Sequence, residues 1–302
     1  MRLSKRLKHA VAYAAARGMG GLINVLPRPL ALNIGSWLGL AAWRLLPRDR
    51  YRTHRHLGLV YGDDLDEREK HLLCRRFFVH SGRSLIDVIR FQRHFEREIK
   101  PIVAVEGLEH FERAHARGKG VIGVTAHLGN FELLAAYISS LGYRCAVIGR
   151  EMYDRRLDRM LVANREAMGL TNIAVGDSPR KLLGWLKEGG VVGALIDFDS
   201  ISIRSDFVPV MGRMALTPVG QSLIGLRAGA AFVPIVCVRS PGDCYRIIIR
   251  PEVAIRPTGD DDADALTITA ACSRELDELI LSYPDQWPWL KNRWLTPTTY
   301  RP

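Results

Sequence analysis

Residues 127–132 read HLGNFE and follow the apolar run VIGVTA at 121–126. His127 and Glu132 are the residue types of a general base and the carboxylate that orients it. Their pairing has a geometric condition. On one regular helix five residues turn through about 500°, which leaves the two side chains about 140° apart. They meet only if His127 lies ahead of the helix and Gly129 folds the chain back over its first turn. Glu132 then sits at the positive end of the helix dipole, stays ionised and accepts a hydrogen bond from one imidazole nitrogen, leaving the other basic. A first-turn glutamate also serves as a plain capping group, and spacing alone does not separate the two roles. Asn130, at the start of the helix, either caps it or contacts substrate.

A base of this kind needs something to activate. The sequence has no GxSxG elbow, and Cys145 falls within a predicted buried strand. The hydroxyl that His127 would deprotonate therefore belongs to a substrate, which points to group transfer onto an alcohol. His127 has no HxH or HxxH partner, and His54 and His56 lie in the basic N-terminal region, so no metal site is expected.

These residues need a scaffold that holds them. From about residue 100, apolar runs at 121–126, 144–149, 171–175, 191–197, 230–238 and 245–251 alternate with helical patterns at 131–140, 154–168, 179–188, 218–228 and 263–282. Strands alternating with helices indicate an α/β fold. The RSPGDC turn joins the last two runs as a hairpin. The sheet is therefore expected to be mixed, largely parallel and flanked by helices. His127 falls at the carboxyl end of the first of these strands, where open α/β sheets bind ligands. Asp197 and Asp199 end the strand at 191–197 and face the same crevice.

Composition adds a second theme. Hydrophobic residues make up 47% and charged residues 25% of the 302, as in an ordinary globular chain. The net charge of +11 is concentrated: residues 1–56 hold eleven Lys/Arg and one acid, and so carry +10 of it. The same segment contains WLGLAAWRLL at 37–46. Aliphatic and aromatic residues interleaved with Arg suit a membrane surface with anionic lipids rather than nucleic acid. Pro27, Arg28, Pro29 and Arg44 interrupt the apolar runs, so a monotopic attachment is expected rather than a span. The five cysteines form no CxxC and read as core thiols in a reducing compartment.

Four ordered blocks then carry a resemblance. AHLGNFELLA, with His127 and Glu132 at HX4E spacing, resembles the HX4(D/E) motif of glycerolipid-type acyltransferases, and most closely that of the lipid A late acyltransferases. VIGREMYDRRLDRMLVANREAMGL (147–170) is similar to the family's second block, with Arg150 and Arg165. ALIDFDSISIRSDFVPVMGRMALTPVG (194–220) resembles its third, and YPDQWPWLKNRW (283–294) its C-terminal signature. Asp197-Phe198-Asp199 stands where the family has Asp-Gln-Asp, and Pro209-Val210-Met211-Gly212 where it has Pro-Phe-Phe-Gly.

The resemblance implies transfer of a fatty acyl chain from acyl carrier protein or coenzyme A to a hydroxyl of a membrane glycolipid, most simply a lipid A precursor. It implies no cofactor beyond that thioester. A phosphoinositide mannoside, a glycerophospholipid or a non-catalytic lipid-binding role are the other readings. Arg150 and Arg165 would orient phosphate, and Arg165 is also the first candidate to stabilise an oxyanion. Asp197 and Asp199 would bind sugar hydroxyls or support His127. Residues 1–60 would dock the protein on the cytoplasmic face of a bacterial inner membrane, and 61–302 would form the acyltransferase domain.

Overall fold

The computed structural model describes residues 18–151, 154–176, 179–291 and 293–300. Residues 1–17, with five of the eleven Lys/Arg of the expected docking segment, lie outside the described residues, as does the tyrosine of the second block.

The elements that precede the sheet include the long helices α1 (Arg28–Leu45), α2 (Pro47–Tyr61) and α3 (Glu67–His94). Prolines set the first two boundaries, because Pro can open a helix but not continue one. Asp66 and Glu69 close a capping box at the start of α3, each side chain bonding the other's backbone N–H. α1 lies against α3 through Gly35, Gly39 and Gly82. A Cβ on Gly39 or Gly82 would run into backbone of the facing helix, so only glycine permits this approach. Arg28 at the head of α1 forks onto Asp87 of α3 at 2.9 and 3.0 Å. The other side of α1 is apolar and bare: Trp37 is 70% exposed and Leu45 75%, with Leu30 and Leu38 also exposed. Among the described residues no helix is long and apolar enough to cross a membrane. α2 is built into the body, with Leu57 in the main core and His56 hydrogen-bonded to the Trp289 carbonyl at 2.5 Å.

The body contains β1 (Val103–Glu106), α4 (Leu108–His115), β2 (Val121–Thr125), α5 (Phe131–Ser140), β3 (Cys145–Gly149), α6 (Arg155–Ala167), β4 (Leu170–Ala174), α7 (Pro179–Lys187) and β5 (Val191–Leu195). It continues with β6 (Ser205–Val210), β7 (Arg213–Pro218), α8 (Gly220–Ala228), β8 (Ala231–Ser240), β9 (Cys244–Ile249) and α9 (Asp261–Ser282). Seven strands form one sheet in the order β1-β9-β8-β2-β5-β3-β4. Every neighbouring pair is parallel except the β8–β9 hairpin. This is the expected mixed, largely parallel sheet.

β2 is buried along its whole length because it is covered on both faces. Val121 packs with Leu133 and Ile138 of α5, while Ile122 and Val124 pack with Ile268 and Leu276 of α9 and with Trp287 and Trp289. Two elements depart from the expected pattern. β1 is a four-residue edge strand of alternating burial, too short to stand out as an apolar run. The β6–β7 hairpin forms its own two-stranded sheet under α9. It turns at Met211 and Gly212, both at positive φ.

Candidate active site

The parallel register of β2 and β5 pairs Thr125 with Leu195. Two residues further along each strand stand His127 and Asp197, so the sheet itself brings them together. The Asp197 carboxylate takes His127 from two sides: Oδ1 lies 2.7 Å from the imidazole Nδ1, and Oδ2 accepts the His127 backbone N–H at 2.9 Å. Oδ2 also accepts the Trp287 indole N–H at 2.8 Å. Burial alone would push the Asp197 carboxyl up. The facing His127, the hydrogen bonds from it and the nearby Lys291 override that and hold it well below the usual carboxylate range. An ionised Asp197 fixes the tautomer with the proton on Nδ1, which leaves Nε2 as an acceptor. The ring borders an open cleft and meets Phe131 edge-on, with centroids 4.9 Å apart.

The partner expected for His127 was Glu132, and here the structure corrects the reading. Gly129 does bend the chain at φ +63°, and Asn130 does cap α5 by accepting the Leu133 N–H at 3.1 Å. The bend, however, is spent on docking the loop to β8 and the C-terminal segment: Asn130 N–H bonds the Cys237 carbonyl and Gly129 N–H bonds the Gln286 carbonyl. Glu132 instead receives a two-pronged Arg165 guanidinium, Nε to Oε2 at 2.9 Å and Nη2 to Oε1 at 2.5 Å. Such forked pairs are among the stronger and most directional ion pairs. Arg165 Nη1 also donates to Asn172 at 3.1 Å. Glu132 therefore orients Arg165, and Asp197 orients His127.

The remaining expected residues divide. Arg150 sits at the exposed cleft rim, donating to Ser202 at 2.5 Å. Asp199 borders the cleft, but its carboxylate accepts the N–H groups of Leu295 and Thr296 and pairs with buried Arg293 at 3.4 Å. It anchors the C-terminal segment. Asn130 is buried, and its amide is used at both ends, the nitrogen donating to Tyr245 at 3.3 Å. It is a cap and does not face the cleft, because that tyrosine belongs to a polar network inside the protein. Tyr245 donates to Asp87 at 2.7 Å, and Arg28 and Arg239 both pair with the same carboxylate.

Two residues of the tryptophan-rich segment enter the site: Trp287, expected only to pack that segment or sit at the interface, and Lys291, given no role by the sequence. Trp287 supports Asp197, as above, rather than only packing. Lys291 borders the cleft beside His127 and Phe198. Burial brings the Lys291 ammonium down to about 8, against the opposing pull of Asp197. Among the described residues its ammonium has no hydrogen-bonded or ion-paired partner. A cation so placed just behind the signature tryptophans was the available signal.

Two spaces meet at this point. The polar cleft comprises about 1880 Å³ of atom-free space, part of it open to solvent, and is bordered by His127, Arg150, Asp199 and Lys291. The second is a narrow apolar cavity between α5 and the sheet, with about 640 Å³ of atom-free space when its solvent-open end is included. Phe131, Glu132, Ile148, Arg165 and Leu195 border both, so cavity and cleft share one mouth beside His127. The cavity also holds Cys145, whose thiol burial pushes up to about 12, so it stays protonated and unreactive. Among the described residues no serine or cysteine bonds to His127, and no three His, Cys, Asp or Glu side chains converge as metal ligands. The arrangement is an oriented imidazole between an apolar slot and a polar cleft.

Residues 1–296 match the sequence profile of the family described as bacterial lipid A biosynthesis acyltransferase. The chain is 28% identical to the lipid A biosynthesis lauroyltransferase of Escherichia coli K12, over 98% of this chain and 95% of that protein. It is 25% identical to the lipid A biosynthesis palmitoleoyltransferase of the same organism, over 90% and 87%. It is 24% identical to a phosphatidylinositol mannoside acyltransferase of Mycobacterium tuberculosis, over 71% and 67%.

Proposed function

The chain belongs to the bacterial lipid A biosynthesis acyltransferase family and is an acyltransferase, and on that premise we propose that it transfers a fatty acyl chain from an acyl carrier protein or coenzyme A thioester to a hydroxyl of a lipid A precursor. The observation that carries this reading is the shared mouth: an apolar slot and a polar cleft meet beside an imidazole whose Nδ1 is held by Asp197.

The acyl chain enters the slot under α5, which brings the thioester carbonyl to the mouth. The glycolipid headgroup fills the cleft. Nε2 of His127 takes the proton of the acceptor hydroxyl as its oxygen attacks the carbonyl carbon. A tetrahedral oxyanion forms and collapses, the C–S bond breaks, and the imidazolium returns the proton to the departing thiolate. The products are an ester and a free thiol. A positioned base contributes about 10²–10⁴-fold. Arg165 borders the mouth, is held in place by Glu132, and has five N–H groups of which three are used. Its remaining donors face the developing oxyanion. Lys291 and Arg150 lie in the cleft and at its rim, where they meet anionic groups of the headgroup.

Residues 1–60 dock the protein on the cytoplasmic face of the inner membrane, and 61–302 carry the chemistry. The bare apolar side of α1 with the flanking arginines supports this. The mannoside-acylating relative gives the second reading, a mannosylated phosphoinositide acceptor.

Two measurements test the proposal. His127→Ala should abolish transfer in a purified assay while thermal unfolding stays as in the wild type; near-wild-type transfer by the folded variant refutes the mechanism. Mass spectrometry of membrane lipids, with and without the active protein, identifies the acceptor. An acyl group missing from lipid A without the protein supports the first acceptor, and one missing from another lipid refutes it.

A further inference from the structure

At the centre of the sheet the β2–β5 register pairs Gly123 with Gly193. Both lie in strand interiors, where glycine weakens a strand and offers nothing to pack. Neither is required by the backbone, since neither has a positive φ. Neither is required by a close approach. A Cβ on Gly193 would meet Val147 Cγ1 at 3.6 Å and the Ala146 carbonyl at 3.8 Å. One on Gly123 would meet Ile235 Cγ2 at 3.4 Å and the Val192 carbonyl at 3.8 Å. These are ordinary contacts. Gly39, Gly82 and Gly129 are different, because a Cβ there would strike backbone.

What the two glycines share is the apolar cavity, which both border. The strands run from its deep end to its mouth. Val191 and Cys145 lie at the deep level, Gly123, Gly193 and Val147 at the middle, and Thr125 and Leu195 at the level of the mouth. Each level is about 6.6 Å from the next, two residues of strand. At the middle level two adjacent strands present no side chain, and that gap joins the mouth to the deep end.

We infer that Gly123 and Gly193 set the length of acyl chain the protein accepts, by keeping the middle of the slot open. This rests on the acyl-transfer reading above. Side chains at the middle level close the slot there and leave a shorter pocket at the mouth.

The test is a competition assay on the full-length protein, with an equimolar mixture of decanoyl, lauroyl, myristoyl and palmitoyl thioesters of acyl carrier protein and, as acceptor, the lipid that the mass spectrometry above finds to lack an acyl group without the protein. A parallel series uses coenzyme A thioesters. The variants are Gly193→Ala, Gly193→Val and Gly123→Ala, with Gly184→Ala on the outside of α7 as control, where a Cβ meets nothing. The product ratio should move toward shorter chains by at least about tenfold in Gly193→Val, the scale of discrimination by a methylene or two in an apolar pocket. The two alanine variants should move the same way by less, fold at least as stably as the wild type, and transfer their preferred chain within about threefold of its rate. Gly184→Ala should match the wild type. If Gly193→Val does not fold, the alanine variants decide. Alanine variants that transfer with an unchanged chain-length ratio overturn the inference and leave acyl transfer standing. A wild type that transfers none of the four chains from either carrier overturns the acyl-transfer reading itself, and the inference with it.

Discussion

Asp197→Asn separates the two carboxylates near His127. Three N–H groups converge on Asp197: His127 Nδ1 on one oxygen at 2.7 Å, and the His127 backbone and Trp287 indole N–H on the other at 2.9 and 2.8 Å. An asparagine best satisfies the paired donors with its carbonyl oxygen, which turns its NH₂ toward Nδ1. The imidazole must then accept at Nδ1 and carry its proton on Nε2, where it no longer acts as a base. In serine hydrolases the same exchange lowers kcat about 10⁴-fold for this reason. Here we expect about 10²–10⁴-fold, or roughly 3–5 kcal/mol of transition-state stabilisation. KM should stay within about threefold, because Asp197 is buried behind the imidazole. The exchange also costs about 1–3 kcal/mol of stability through the lost charge-assisted bonds. Glu132→Gln leaves the imidazole partner in place and weakens only the hold on Arg165, so its kcat should fall less, by about tenfold. The assay is steady-state acyl transfer with both substrates varied, alongside thermal unfolding. If Asp197→Asn keeps near-wild-type kcat while Glu132→Gln loses three orders of magnitude, the orienting carboxylate is Glu132 and the argument from register fails.

Two further outcomes follow from the site and its support. Lys291→Gln should raise KM for a phosphorylated glycolipid acceptor about tenfold with kcat little changed, and Lys291→Arg should restore it; an unchanged KM removes Lys291 from acceptor binding. Asp277 accepts the Met211 N–H at 2.6 Å, and its carboxyl is pushed up to about 6 by burial, against that hydrogen bond and the charge of Arg293. The folded state thus favours the protonated form. Its contribution is present below the unfolded value near 3.8 and is lost as pH rises through about 6. Asp277→Asn should therefore stabilise the protein at pH 7.5, by at most on the order of 3 kcal/mol, and by much less at pH 4. Equal melting shifts at the two pH values would contradict this.

Local rules reached far in this protein. Prolines and caps bounded the N-terminal helices, and the helix at 131–140 begins where Asn130 can accept a backbone N–H. The apolar run at 121–126 put His127 at a strand's carboxyl end, and RSPGDC foretold the one antiparallel pair of the seven-stranded sheet. These signals are local because they depend on neighbours within a turn or a strand. The β6–β7 hairpin escaped because its turn uses Met211 at positive φ, a conformation its sequence does not advertise, and β1 because its four residues are too few to stand out as a run.

The partners of the site were another matter. In sequence, Glu132 is five residues from His127 and Asp197 is seventy. The strand order that sets β2 beside β5, with β3 and β4 beyond, reverses that proximity. The same order puts Gly123 beside Gly193, and the C-terminal segment folds Trp287 onto Asp197. The sequence determined which chemical groups the protein has and which elements hold them. Only the tertiary structure decided which carboxylate meets the imidazole, because hydrogen-bonded register, not distance along the chain, fixes which side chains face each other.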